Sequence, residues 1–141
     1  SINMMDKTEI SKATLYKLND YTICLIYKSD VNFKLEDAIE TNSIIFNLAN
    51  GKPFTVLVDG RGVYGNITNE ARKHFVTDPK TKDIRLAEAL LIDNLPARIF
   101  ARFYIKVNKP NNPVKIFGDK ENAMNWLEEI YAKNNIQELT H

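Results

Sequence analysis

The sequence is poor in the residues that build disulfide bonds and metal sites. It contains one cysteine, Cys24, and two histidines among its 141 residues. A single cysteine excludes an internal disulfide bond and a zinc site with several thiolate ligands. Neither a His-x-x-x-His pair nor a Gly-x-Ser-x-Gly motif occurs. We therefore predict no catalytic residue, no metal site and no cofactor.

The chain also lacks a charge excess and a long hydrophobic run. Its 19 Lys and Arg residues balance 18 Asp and Glu residues, which argues against nonspecific binding to nucleic acid. No apolar stretch approaches the ~20 residues of a membrane-spanning helix. We therefore expect a cytoplasmic protein with no integral membrane segment. The hydrophobic fraction of 44% and the length are typical of a single globular domain.

Patterns typical of strands and of helices alternate along the chain. The runs 13–18 and 21–27 flank Asn19-Asp20 and predict a hairpin. The apolar run 54–58 lacks alternation, which is typical of a strand buried on both faces. Further strands are predicted over 85–92 and 114–117, and helices over 34–50, 67–76, 94–107 and 121–132. Asn66 stands where a helix cap is expected, and Asn94-Leu95-Pro96 is expected to start a helix.

The predicted fold class is therefore α/β, with the order β-β-α-β-α-β-α-β-α. We expect a five-stranded, mixed but mainly parallel sheet with an N-terminal hairpin and four helices. Residues 10–135 are predicted to form the domain. Residues 1–9 are expected to be a disordered segment or a cloning remnant, and residues 136–141 a C-terminal tail.

Three local features carry a resemblance to a known superfamily. The apolar strand ends in Asp59, and the turn Asp59-Gly60-Arg61-Gly62 follows it. The run 114–119 leads into a helix that contains Trp126. Together with the element order, these features resemble the STAS superfamily of sulfate transporters and anti-sigma factor antagonists. The resemblance covers residues 10–135. More narrowly, the chain resembles the bacterial SpoIIAA-like branch of this superfamily.

This resemblance implies a bacterial, non-enzymatic interaction or regulatory module. In anti-sigma factor antagonists, a partner kinase phosphorylates a serine of an Asp-Ser-Ser-Gly turn. Gly60 and Arg61 occupy the matching positions here, and neither can accept a phosphate. The hydroxyl groups of Tyr64 and Thr68 lie nearby but do not match the motif. The resemblance thus implies a module without the usual phosphoserine switch.

The glycine-rich loop after the buried strand is the predicted surface for an unknown protein partner. Ligands of open α/β sheets bind beyond the carboxyl ends of the strands, where backbone N–H groups of such loops point outward. A plainer interpretation is that the glycines only permit a tight turn. The pattern Gly60-x-Gly62-x-x-Gly65 lies mid-chain without the acidic residue of a dinucleotide site. The predicted contact residues are Asp59, Arg61, Val63, Tyr64 and Asn66.

An alternative function comes from the helix over 94–108. It is apolar around more than half of its circumference, which is wider than the stripe of an ordinary surface helix. Phe100, Phe103 and Tyr104 are the predicted wall of a pocket for a small apolar or lipid-like ligand. The same surface favours a homodimer or packing against a second helix. An enzyme remains the third hypothesis.

Overall fold

The computed structural model describes the backbone of residues 7–28, 32–62 and 66–140. Four helices and eight strands occur in this part of the chain, three of the strands having only two residues. In chain order they are β1 (Thr8–Glu9), β2 (Ala13–Lys17), β3 (Thr22–Tyr27), β4 (Asn32–Phe33), α1 (Leu35–Ala49), β5 (Phe54–Asp59), β6 (Asn66–Ile67), α2 (Asn69–Thr77), β7 (Arg85–Leu91), α3 (Leu95–Asn108), β8 (Val114–Phe117) and α4 (Lys120–Thr140).

The main sheet has the strand order β1-β2-β3-β5-β7-β8. The pairs β1–β2 and β2–β3 are antiparallel, whereas β3, β5, β7 and β8 run parallel. The predicted α/β class, hairpin, mainly parallel sheet and four helices are confirmed. The sheet has six strands rather than five, because Thr8 and Glu9 pair with Leu15 and Thr14. The expectation that residues 8–9 are disordered is therefore wrong.

Strand β5 forms the centre of the sheet. Residues 54–58 are all buried, as the uninterrupted apolar run predicted. The one hydroxyl in this run is satisfied inside the sheet, where Thr22 Oγ1 and Thr55 Oγ1 lie 2.9 Å apart. Asp59 ends the strand and reaches the carboxyl edge of the sheet, where the glycine-rich loop begins.

Helices cover both faces of the sheet. On one face, α1 and α2 pack against side chains of β2, β3 and β5, which include Leu15, Ile23 and Val56. On the other face, α4 packs against Leu57 of β5 and Ala89 of β7. The parallel strands advance in one direction from β3 to β8, so right-handed crossovers place α1, α2 and α3 on the same face. Helix α3 therefore lies over β7 and β8 at the end of this row.

Several element ends differ from the prediction. Asn66 does not cap α2, because it pairs with Asn32 in a separate two-stranded parallel sheet. Thr68 is the cap instead, and its Oγ1 accepts a hydrogen bond from the Ala71 N–H at 3.2 Å. The hairpin connection spans residues 18–21 rather than two residues. Helix α4 extends through the predicted tail to Thr140, since no Gly or Pro follows residue 132 to end it.

A buried amide joins α1 to the segment between α2 and β7. Asn42 Nδ2 donates to Asp78 Oδ2 at 2.8 Å and to Thr81 Oγ1 at 3.0 Å. Burial alone would raise the pKa of Asp78, but hydrogen bonds from the Lys80 N–H and the Asn42 amide hold that pKa below its ordinary value. This contact fixes the segment that leads into β7, and hence one wall of the site described below.

We predict that Asn42→Ala lowers the free energy of unfolding by about 1–3 kcal/mol, because it leaves buried acceptors without their donor. Urea denaturation measures the change. Asn47→Ala is the matched control, because Asn47 is exposed on the same helix and gains the same helix propensity. Equal stabilities of the two variants would contradict the proposed role of the buried amide.

Candidate functional site

The loop after β5 is tied to its own aspartate. Arg61 Nε donates to Asp59 Oδ1 at 3.0 Å, and Arg61 Nη2 donates to Asp59 Oδ2 at 2.8 Å. The Arg61 backbone N–H also donates to Asp59 Oδ1 at 3.1 Å. These hydrogen bonds from Arg61 hold the pKa of Asp59 below its ordinary value, against the opposing effect of burial. The Arg61 side chain nevertheless stays 41% exposed.

The structure describes the backbone of Gly60 and Gly62 in this loop, and at both positions the backbone geometry disfavours a residue with a side chain. A Cβ on Gly60 would lie 3.3 Å from the Leu91 carbonyl oxygen, which accepts the Gly60 N–H at 2.9 Å. Gly62 has φ of +72°, which disfavours any side chain, and its N–H donates to Asp93 Oδ1 at 3.3 Å. The loop is therefore a tight turn joined to the carboxyl end of β7, which agrees with the plainer interpretation.

The structure brings together only part of the predicted partner surface. Asp59 and Arg61 form one ion pair at the carboxyl edge of the sheet. Asn66 is exposed and lies in β6, beside Ile67, at one end of a cavity. Val63 and Tyr64 lie outside the described residues. The role of this loop in partner binding therefore stays a prediction.

A cavity of about 420 Å³ lies between the sheet and α3. This volume falls within the range of roughly 300–1,000 Å³ that is usual for small-ligand sites. The floor comes from β5 and β7, one wall from α2, and the cover from α3. The apolar side chains that line it include Val58, Phe75, Leu90, Ala97, Ala101 and Ile105.

Helix α3 covers the cavity without a packed core of its own. Its cap is ordered, since Asn94 Oδ1 accepts the Ala97 N–H at 2.9 Å. Arg98 extends over Gly118 and donates to the Ile92 carbonyl oxygen at 3.4 Å. Yet none of the residues of α3 is fully buried, and two of those that line the cavity, Ala97 and Ala101, have small side chains. These two small side chains leave part of the space between α3 and the sheet unfilled.

Charged and phenolic groups form a polar end inside this apolar cavity. Arg72, Arg85, Glu88 and Tyr27 all line it. Arg85 Nη2 donates to Glu88 Oε1, and Arg85 Nη1 donates to the Phe75 carbonyl oxygen at 3.5 Å. Burial raises the pKa of Tyr27, on which the charges of Glu88, Arg85 and Arg72 also act. These four groups thus belong to one electrostatic cluster.

Two of the three predicted pocket residues line the cavity. Phe100 and Tyr104 face it together with Arg72. Phe103 is 65% exposed and lines a neighbouring surface groove between α2 and α3 with Val107. The charged members of the cavity were missed by the sequence analysis. Glu88 carried a signal, because it is the one charged residue within the apolar run 86–92.

The described residues contain no group of three or more His, Cys, Asp or Glu side chains arranged to hold a metal ion. None of the helices in the described ranges combines the length and hydrophobicity that a membrane span requires.

A known protein family matches most of this chain. A sequence profile described as a domain of unknown function, DUF7793, matches residues 16–131. The chain belongs to the DUF7793 family. None of the curated proteins matches it.

Among solved structures, this DUF7793 domain is similar to an uncharacterised DUF3478-family protein with a SpoIIAA-like fold from Shewanella loihica PV-4. The TM-score is 0.60 at 14% sequence identity, over 85% of this chain and 97% of that chain. At this identity the likeness shows the fold alone. The SpoIIAA-like fold that the sequence resemblance implied is confirmed.

We predict that Arg61→Gln raises the pKa of Asp59 towards the ordinary value of about 3.9. The lowered pKa in the folded protein means that ionised Asp59 stabilises the fold at neutral pH. That contribution disappears as the pH falls through the folded-state pKa. Carboxyl-detected NMR titration measures the change directly.

The control for this titration is Arg102→Gln, which alters an exposed arginine on α3. It should leave the titration of Asp59 unchanged. An Asp59 pKa that is the same in the wild type and in Arg61→Gln would show that the ion pair does not hold the loop.

Proposed function

We propose that the protein is a non-enzymatic binding module that holds a small, mainly apolar ligand in the cavity under α3. The observation that carries this proposal is the cavity itself, an apolar space of about 420 Å³ with one polar end. Sites for small molecules commonly combine an apolar lining with a few placed polar groups. The ligand-carrier hypothesis, which was the alternative in the sequence analysis, thus becomes the first candidate.

The packing of α3 supports a role as a movable cover. A helix with no fully buried side chain contributes little to the core, and such elements open at low free-energy cost. The cap at Asn94 and the Arg98 contact hold the N-terminal end of α3 in place. Opening would therefore begin at the C-terminal half of α3, next to Pro110 and Pro113, which cannot continue a helix.

The titratable groups of the site support a binding role rather than catalysis. Burial raises the pKa of the Tyr104 phenol, which disfavours its ionised, nucleophilic form. The Cys24 thiol lies in the core on the α4 face of the sheet and does not line the cavity. The carboxylate of Glu88 is already engaged in an ion pair with Arg85. We include the absence of enzymatic activity in the proposal on these grounds.

A bulky side chain at Ala101 should obstruct the cavity. We expect the uncharged fluorescent probe N-phenyl-1-naphthylamine to bind the wild type with one saturable site and a blue-shifted emission. Ala101→Trp should weaken this binding about tenfold or more, because overpacking a site costs about 1–3 kcal/mol. Fluorescence titration gives the dissociation constants.

Ala132→Trp provides the matched control, since Ala132 is exposed on α4, away from the cavity. Its probe affinity should equal that of the wild type. Binding that is unaffected by Ala101→Trp, or that does not saturate, would overturn the proposed site.

A second candidate is the interaction module that the resemblance to STAS domains implies. The favouring observation is the rigid loop at the carboxyl edge of the sheet, where the Asp59–Arg61 pair and the Gly62–Asp93 hydrogen bond fix an exposed guanidinium. Loops organised before binding lose little entropy on association. The cavity and this loop lie at neighbouring places on the sheet, so one protein could carry both roles.

The interaction role predicts that Arg61→Glu abolishes capture of a specific partner from the native lysate. Reversal of the charge breaks the pair with Asp59 and repels an acidic partner surface. Quantitative mass spectrometry of the captured proteins provides the measurement. Lys52→Glu, at an exposed position on the opposite edge, should retain the partner. Identical capture by all three baits would remove the loop from the functional surface.

A further inference from the structure

Arg72 occupies the boundary between the cavity and the groove outside it. It projects from α2 towards α3 and lines both spaces. Its guanidinium carbon lies 4.4 Å from the centre of the Phe100 ring and 4.8 Å from the centre of the Tyr104 ring. Two aromatic rings one helical turn apart therefore hold this cation in place.

This guanidinium has no anionic partner in the described part of the chain. The ion pairs found there involve Lys12, Arg61, His74 and Arg85, and none of them involves Arg72. No described oxygen accepts a hydrogen bond from its side chain. Burial lowers the pKa of Arg72, which reflects the cost of a cation that is partly removed from water. Arg85, by contrast, is neutralised by Glu88.

The two ring contacts of Arg72 occupy none of its N–H groups with an oxygen acceptor, so a ligand can accept hydrogen bonds from them. Aromatic rings interact with the faces of a guanidinium, whereas its N–H groups lie in the plane and form hydrogen bonds at the edge. A fork of N–H donors at this edge matches the two oxygens of a carboxylate. The apolar residues Ala101 and Leu90 line the same cavity as Arg72.

We infer that the ligand is an amphipathic monocarboxylate whose carboxylate pairs with Arg72 and whose apolar body fills the cavity under α3. This inference rests on the proposed function and adds the chemical class of the ligand. The charges at the polar end favour a monoanion. One guanidinium there lacks a counter-ion, whereas Arg85 and Glu88 offset each other, so a single negative charge balances the site. A carboxylate satisfies this balance better than a phosphate monoester, which carries more than one charge near neutral pH.

The test compares dodecanoate with methyl dodecanoate, whose ester methyl group removes the charge while the hydrocarbon chain stays the same, below their aggregation limits. Each displaces N-phenyl-1-naphthylamine from the purified protein. We expect the wild type to prefer dodecanoate by about tenfold or more, since a charge-assisted hydrogen bond is stronger than a neutral one. Arg72→Gln should lose this preference while it retains affinity for the ester. Arg72→Lys should keep part of the preference, because it keeps the charge but not the fork.

Arg102→Gln is the matched control and should retain the wild-type preference, because Arg102 is exposed and does not line the cavity. The ratio of the two affinities is the informative quantity. Loosening of α3 in Arg72→Gln would weaken both probes together and leave their ratio unchanged. A preference that survives in Arg72→Gln would therefore overturn the inference.

Two further outcomes separate the ligand class from the function. Equal wild-type affinities for dodecanoate and its ester would overturn the carboxylate while the cavity remained a binding site. Failure of both probes and of N-phenyl-1-naphthylamine would overturn the proposed function itself. Dodecyl phosphate serves as a third arm, and an Arg72-dependent affinity above that of dodecanoate would assign the site to phosphates instead.

Discussion

The architecture depends on the direction in which the parallel sheet grows. From β3 through β5 and β7 to β8, each new strand is added on the same side, so the same handedness of crossover places three successive helices on one face. Helix α1 covers the middle of the sheet and α2 lies beside it. Helix α3 covers the last two strands alone, while the chain returns as α4 on the opposite face.

The cavity follows from that position together with the side chains of α3. The inward positions hold Ala97 and Ala101, whose small side chains leave space above Leu90. Leu95 and Phe103 lie at exposed positions, whereas Phe100, Tyr104 and Ile105 form part of the lining. Larger side chains at positions 97 and 101 would fill this space and form an ordinary core. The distribution of small and large residues therefore accounts for an open, apolar volume next to the sheet.

The charged groups that line this cavity are not equally neutralised. The Arg85–Glu88 pair cancels two charges at one end, whereas Arg72 is held by aromatic rings rather than by an acid. Phe100 and Tyr104 thus serve two purposes, since they wall the cavity and position the cation. The loop at Arg61 shows the opposite arrangement, in which the guanidinium is already paired with Asp59. For this reason the cavity is a better candidate for binding an anion than the glycine-rich loop.

Local signals in the sequence predicted much of the fold. The apolar run of β5 and the start of a helix at Asn94-Leu95-Pro96 follow from short-range chemistry, and the structure confirms them. Two-residue strands such as β1 carry no periodic pattern and could not be predicted. The choice of Thr68 over Asn66 as a cap depends on pairing between β4 and β6, which is a tertiary contact.

The site was predictable only in part, for the same physical reason. The excess apolar surface of α3 indicated Phe100 and Tyr104, because a wide apolar face is visible in the helical period. Arg72 lies on another helix, and nothing in the sequence distinguishes it from an arginine on a solvent-exposed helix face. Only the packing of α2 beside α3 places it over the two rings.

The most direct test of this account is an NMR measurement of intermolecular contacts with ¹³C-labelled dodecanoate bound to the unlabelled protein. The account predicts nuclear Overhauser effects from the chain methylenes to Val58, Leu90 and Ala101, which line the cavity. Contacts confined to Leu95, Ile99 and Phe103 would place the ligand on the outer surface of α3 and contradict a binding site under that helix.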